Sequence, residues 1–127
     1  MIFPRLIEQP ALGNPVKIDQ GGDAVDDFLY YGDLAQALVR CCFAAGPLLP
    51  FYHVGSGQGL QLKDLAKAVL NRLPEAQIEI GPGPAFIPRP PNYHCVLDFS
   101  AARRDFGYEP GSPQEWVDSF LARTNGR

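Results

Sequence analysis

The sequence predicts an α/β protein, a small single domain spanning residues 1–127 in which short strands alternate with about five helices. Three observations predict it. Apolar residues recur at helical spacing in five stretches, short alternating runs lie between them, and Gly and Pro cluster where one period gives way to the next. The organising stretch is Phe28-Leu-Tyr-Tyr31, an aromatic run suited to a buried strand, followed from Asp33 by a helix.

In chain order, Phe3, Leu6, Ile7 and Ala11 mark an opening helix over Pro4–Leu12, stopped by Gly13-Asn14-Pro15. A helix that begins almost at Met1 raises the expectation that something upstream is missing. Val16–Ile18 alternates as a half-buried strand, and Gln20–Asp23 is a glycine turn. After the aromatic strand, Leu34, Ala35, Leu38, Val39 and Cys42 form the face that the second helix should bury. Asp33 stands ahead of that face, where a carboxylate meets free N–H groups and the positive end of the helix dipole. Gly46-Pro47 is expected to end the helix.

Phe51–Val54 reads as a further strand, closed by the glycine turn Gly55-Ser-Gly-Gln-Gly59. Leu62, Leu65, Ala66, Val69 and Leu73 give the third helix a clean apolar face, ended by Pro74. Gln77–Ile80 alternates as another short strand. Residues 81–92 form a proline-rich loop, with five prolines between Gly81 and Pro91, expected to be extended and without regular hydrogen bonding. Val96-Leu97 is a short strand candidate. Asp98 or Ser100 can cap a helix with Phe99, Ala102 and Phe106 on its face, stopped by Gly107. Ser112-Pro-Gln-Glu115 has the form of a capping box, and Trp116, Val117, Phe120 and Leu121 supply the buried face of the last helix. The tail at 125–127 is expected to fray.

Composition bounds the function. With 46% apolar and 20% charged residues the chain is ordinary for a soluble globular protein. A net charge of −3 argues against a nucleic-acid surface, which needs clustered Lys and Arg. No apolar run is long enough for a membrane span, and Arg5 and Glu8 interrupt any signal-peptide core, so a cytoplasmic protein without membrane contact is expected. Cys41, Cys42 and Cys95 cannot close a disulfide set, which fits a reducing compartment. Cys41 and Cys42, about 100° apart around one helix, should face different surroundings.

Searches for chemistry are sparse in result. Strand, glycine turn and helix at 51–62 have the layout of a phosphate cradle, with Glu75 placed like a ribose-binding acid, but the spacing is G-x-G-x-G rather than G-x-G-x-x-G. No Tyr is followed four residues later by Lys, and there is no Gly-x-Ser-x-Gly elbow. His53 and His94 lack metal-ligand spacing. Pro88-Arg-Pro-Pro91 reads as a stiff connection rather than a polyproline ligand. Arg89 within it is the residue best suited to bidentate phosphate recognition.

Taken in order and spacing, Phe3-Pro-Arg-Leu-Ile-Glu-Gln9, the Gly-Gly-Asp turn at 21–23, Asp27-Phe-Leu-Tyr30, Asp33-Leu-Ala35, Tyr52-His-Val-Gly-Ser-Gly57, Asp98-Phe-Ser100 and Arg103-Arg-Asp-Phe-Gly-Tyr-Glu-Pro110 resemble a known family. It is the C-terminal third of extended short-chain dehydrogenases, the NAD-dependent nucleotide-sugar epimerases and dehydratases. The resemblance implies a substrate-binding domain that closes over a Rossmann half carrying NAD, the glycine fingerprint and the catalytic Tyr-x-x-x-Lys. Neither of those motifs occurs in this sequence, so the implied chain binds no NAD itself and is not catalytic alone.

The resemblance also implies the substrate side. Arg89 represents a second family Arg, in the loop before the final Asp-x-Ser helix, and Tyr30 and Asn92 are the other implied substrate-binding residues. The family Arg that contacts the substrate diphosphate, just before Asp27-Phe28, is replaced by Asp26, which would repel phosphate, Tyr31-Gly32 replaces the usual Val-Asp, and Gln61 the usual helix-capping Ser or Thr. The implied ligand is a nucleotide sugar, and the rival is an interaction module that keeps the fold and binds no nucleotide. A surface made to pack on a Rossmann half should expose apolar groups, which a homodimer or a partner chain would cover.

Overall fold

The structure, a computed structural model, describes residues 2–84 and 95–124. Five helices and four short strands follow in the order α1 (Ile2–Ala11), β1 (Val16–Ile18), β2 (Val25–Asp26), α2 (Tyr31–Cys42), β3 (Leu60–Gln61), α3 (Leu62–Arg72), β4 (Ile78–Ile80), α4 (Ser100–Phe106) and α5 (Pro113–Thr124). The α/β class stands. These residues divide into two compact units, one of residues 2–25, 60–84 and 113–124, the other of residues 26–59 and 95–112.

The first unit carries the deeper core. Leu6 and Ile7 of α1, Leu62, Leu65 and Val69 of α3, and Trp116 and Val117 of α5 are each at most 2% exposed. Ile7, Ala68, Val69 and Val117 form one cluster, with Leu73, Ile78, Phe120 and Leu121 packed on it. β1 and β4 pair in parallel, Val16 opposite Ile78 and Ile18 opposite Ile80, so both strands turn their apolar residues the same way. On the outward face Lys17 meets Glu79 at 3.4 Å. Gly13, at φ 78°, ends α1 in the left-handed region where only Gly sits without strain. α3 opens with the Asp64 carboxylate accepting the Gln61 N–H at 2.8 Å. Arg72 and Asp118 join α3 to α5 by two parallel bonds of 2.6 Å, which hold the Asp118 carboxyl below its ordinary range.

The start of the proline-rich loop departs from expectation. The Gly21, Gly22 and Asp23 N–H groups donate to the carbonyls of Pro82, Gly81 and Gly83, and the Gly83 N–H returns to the Asp23 carboxylate at 2.9 Å. Small residues at 22, 81 and 83 let these backbones approach and continue the β1–β4 contact into the loop. The rest of that loop, and the tail at 125–127, lie outside the described residues.

The second unit is built around Ala37 of α2, Ala102 of α4 and Tyr108, with Tyr52, Val54, Phe99 and Phe106 packed on them. The rings meet edge to face, Tyr52 on Phe106 at 4.9 Å and Phe99 on Tyr108 at 5.4 Å. Three expected strands are absent here. Phe28–Tyr31, Phe51–Val54 and Val96-Leu97 carry no strand assignment, although Phe28 and Tyr30 are buried as an aromatic strand would be. Alternation fixes which side chains turn inward, whereas a strand needs a neighbouring backbone as well.

Helix α2 begins at Tyr31, two residues ahead of Asp33, so Asp33 lies in its first turn rather than before it. There its carboxylate accepts the Gly111 N–H at 3.0 Å. The helix ends at Cys42, ahead of Gly46-Pro47. Its expected inner face is turned outward, for Leu34, Leu38 and Val39 are exposed and Ala37 is its buried residue. Cys41 is half-buried and Cys42 exposed. At α4 the residue before the helix is Phe99, and Asp98 accepts the Ser100 N–H at 2.9 Å. Gly107, at φ 67°, closes α4 as expected. No helix among the described residues is long and apolar enough to cross a membrane.

Candidate functional site

The centre of the second unit is a carboxylate clamp. Asp27 Oδ1 accepts the Ser56 N–H and the Ser56 hydroxyl, both at 2.6 Å. Its Oδ2 accepts the Leu97 N–H at 2.9 Å and the Gly57 N–H at 3.2 Å. The turn is shaped to that carboxylate. A Cβ on Gly55 would stand 2.6 Å from Asp27 Oδ2, and Gly57, at φ 67°, leaves room for the Phe99 ring. The Ser56 hydroxyl also accepts the Gln58 N–H at 3.2 Å.

The glycine turn is not an open phosphate cradle. Its convergent N–H groups gather around an anion, and that anion is Asp27. A phosphate would have to displace a carboxylate already bound by four donors. The apparent ligand site is an internal bolt.

An open groove of about 510 Å³ lies beside the clamp, between the Ser56–Gln58 turn and the Val96–Ser100 segment, with Arg103 at its edge. Arg103 is held there by Glu109 at 2.6 Å, with its guanidinium 4.7 Å from the centre of the Phe99 ring. Asp98 borders the same groove, and the Ser100 N–H and hydroxyl keep its carboxyl below the ordinary range. Under the turn, Tyr108 is fully buried and donates to the Gly55 carbonyl at 2.9 Å. Burial first, then the charges of Asp33 and Asp27, push its phenol up to about 12. Tyr52 donates to Asp105 and accepts the Leu49 N–H, each at 2.8 Å. Burial raises its phenol, while Arg104 and then Tyr52 lower the Asp105 carboxyl.

Of the sequence-predicted site residues, Arg89 and Asn92 lie outside the described residues, as does His94. Tyr30 is described. It is 4% exposed, precedes α2 with extended backbone, and its ring lies 4.5 Å from that of Tyr31, over Gly32. Among the described residues no group of His, Cys, Asp and Glu is gathered so as to hold a metal ion. Asp27 escaped the sequence reading as a functional position. Its signal was there in kind, since a Gly-Ser-Gly turn with inward N–H groups needs an acceptor, but nothing local says which of the chain's acids supplies it.

No protein-family model matches the chain, and no curated protein matches it. Solved structures do. It is similar to a GalE-like L-threonine dehydrogenase from Cupriavidus necator, with a TM-score of 0.75 and 21% identity over 94% of this chain and 39% of that one. It is similar to a UDP-glucose 4-epimerase from Bifidobacterium longum solved with NAD+ and UDP, with a TM-score of 0.73 and 22% identity over 100% of this chain and 40% of that one. A UDP-N-acetylglucosamine 4-epimerase from Bacillus cereus gives a TM-score of 0.75 and 17% identity, over 99% of this chain and 43% of that one. At these identities the likeness establishes the fold. The chain has the fold of a part of such enzymes and spans about two-fifths of their length.

Proposed function

We propose that this chain is the substrate-binding part of an NAD-dependent enzyme of the nucleotide-sugar epimerase and dehydratase type, not catalytically competent alone. The observation that carries this reading is that nearly the whole chain superposes on one part of epimerases, one of which was solved with NAD+ and UDP. The missing Tyr-x-x-x-Lys and glycine fingerprint support the second clause, because the base and the cofactor site must then reside elsewhere. In this reading residues 1–127 act as one substrate domain and the ligand is a nucleotide sugar. Arg89 takes the diphosphate through its fork of donors, Asn92 offers amide donors and an acceptor to the sugar or base, and Tyr30 lines the site.

A second reading is an interaction module that keeps the fold and binds no nucleotide. Two observations favour it. Asp26 stands where the family places a phosphate-binding Arg, and the glycine turn is closed by Asp27.

The test is thermal unfolding with UDP, dTDP and GDP sugars and with NAD. A ligand at about 100 times its dissociation constant adds about 2.7 kcal/mol, enough to raise the midpoint by several degrees in a chain of this size. A rise with a nucleotide sugar that is lost in Arg89→Ala, and no rise with NAD, is the expected result. No rise with any sugar nucleotide would favour the interaction module.

A further inference from the structure

In the first unit the C-terminal ends of α1 and α3 frame a groove of about 480 Å³, a volume in the range of small-molecule sites. Its walls are largely apolar, from Pro10 of α1 and from Pro15, Leu73, Pro74 and Ala76. They are also stiff. Gly13 stops α1 in the left-handed region, the prolines fix their own φ, and the Asn14 amide donates to Gln9 Oε1 at 3.1 Å.

The groove is poor in donors and rich in acceptors. Pro15 and Pro74 have no N–H, and Gly13, Asn14, Leu73 and Ala76 spend theirs on the carbonyls of Pro10, Gln9, Val69 and Leu73. Pro74 also stands where a donor to the Leu70 carbonyl would be. Among the described residues no backbone N–H donates to the carbonyls of Leu70, Asn71 or Arg72, the last three of α3. The side-chain carbonyls of Asn14 and Gln77, both lining residues, are further acceptors. Charge points the same way. A helix C-terminus is a negative pole, and α1 has no basic residue in its last turn to offset it. In the last turn of α3, Arg72 is committed to Asp118 of α5. Glu75 lines the groove, and among the described residues no cation pairs with it.

We propose that this groove is a binding site for small organic cations, a primary ammonium carried on a compact apolar body. The ammonium brings three donors and a positive charge to Glu75 and the end of α3, and the body lies against Pro15 and Pro74. An anion would meet Glu75 and two negative helix ends. A neutral apolar ligand would strip water from the acceptors without replacing its hydrogen bonds. The site is built from residues of the first unit alone and stands whether or not the nucleotide-sugar reading holds.

The test is a titration of the full chain with phenethylamine, followed through its backbone amide signals in nitrogen–proton correlation spectra, beside N-acetyl-phenethylamine, which keeps the body and loses the charge. Saturable shifts confined to the amides of 13–14 and 75–77, in about the millimolar range, are expected, with the acetylated form bound about tenfold more weakly. Glu75→Gln should weaken phenethylamine about threefold to fivefold, the share of one exposed charge, while Glu79→Gln, which removes an acid on the outward face of β4, leaves it unchanged. The spectrum away from the groove reports that each variant is folded. Shifts that do not saturate or that scatter over the surface, equal affinity for the acetylated form, or an affinity that Glu75→Gln does not change would each overturn the proposal.

Discussion

Helices α2 and α3 are nearly equal in length, 12 and 11 residues, and both carry an apolar stripe readable in the sequence. Their fates differ. α3 buries Leu62, Leu65, Ala66, Ala68 and Val69 against α1 and α5, whereas α2 buries Ala37 and leaves Leu34, Leu38 and Val39 in solvent. An amphipathic pattern states which face wants to leave water. It does not state that the cover is on the same stretch of chain. The first unit has its cover in α1 and α5, and the second holds its parts together mainly by polar bonds and edge-to-face rings.

The largest expected effect lies in the first unit. Trp116→Ala, removing a ring that is 1% exposed, should cost about 4 kcal/mol, read as a lower midpoint in urea unfolding. A cost under about 1 kcal/mol would erase the contrast in core depth. Next comes the clamp of the second unit. Asp27→Ala leaves the Ser56, Gly57 and Leu97 N–H groups without their acceptor and should cost about 2–4 kcal/mol. Amide exchange should then quicken across 26–59 and 95–112 while α3 keeps its protection. Equal quickening in both units would show that they open together.

A smaller effect distinguishes the units by pH. Tyr108 is neutral in the folded state with its phenol raised to about 12, so its contribution is complete below about pH 10 and is lost as pH rises from there through 12. Tyr108→Phe should flatten that alkaline limb of the stability profile. The acid limb belongs to both units. Asp118, lowered by Arg72, and Asp105, lowered chiefly by Arg104, contribute above the ordinary carboxylate range, and their contributions are lost as pH falls through their depressed values. Asp118→Asn should leave the Asp105 share of the acid limb in place. The smallest effect is expected on α2, where Leu38→Lys should change the stability of the isolated chain by no more than about 0.5 kcal/mol. A cost above about 1.5 kcal/mol would mean that this face is already covered in solution.

What was legible in the sequence follows from the range over which each element is decided. The α3 face, Pro113 at the start of α5, the pairing-competent Val16–Ile18 and Ile78–Ile80, and the left-handed stops at Gly13 and Gly107 depend on a few neighbouring residues, and all are present. Phe28–Tyr31 and Phe51–Val54 were readable as alternating segments but not as strands, because pairing depends on backbone that their own residues do not specify. The clamp was illegible for a related reason. Asp27 reaches Ser56 and Leu97 across 29 and 70 residues, and the local pattern at 55–59 looked the same whether its anion was internal or bound. The opening of the proline loop was misjudged because its glycines, not its prolines, decide its pairing with the 21–23 turn.

That long reach has a consequence during synthesis. The Ser56–Gly57 turn can close on Asp27 as soon as both have left the ribosome, but the donor at Leu97 follows some 40 residues later, which at about 5–20 residues per second is an interval of a few seconds. Through that interval the nascent chain carries a carboxylate with one lobe engaged and the other only partly so, and α2 stands without Ala102 and Tyr108 behind it. The second unit is thus encoded early and completed late. Its apolar helix is offered to whatever lies nearby in the cell before its own half of the scaffold has been translated.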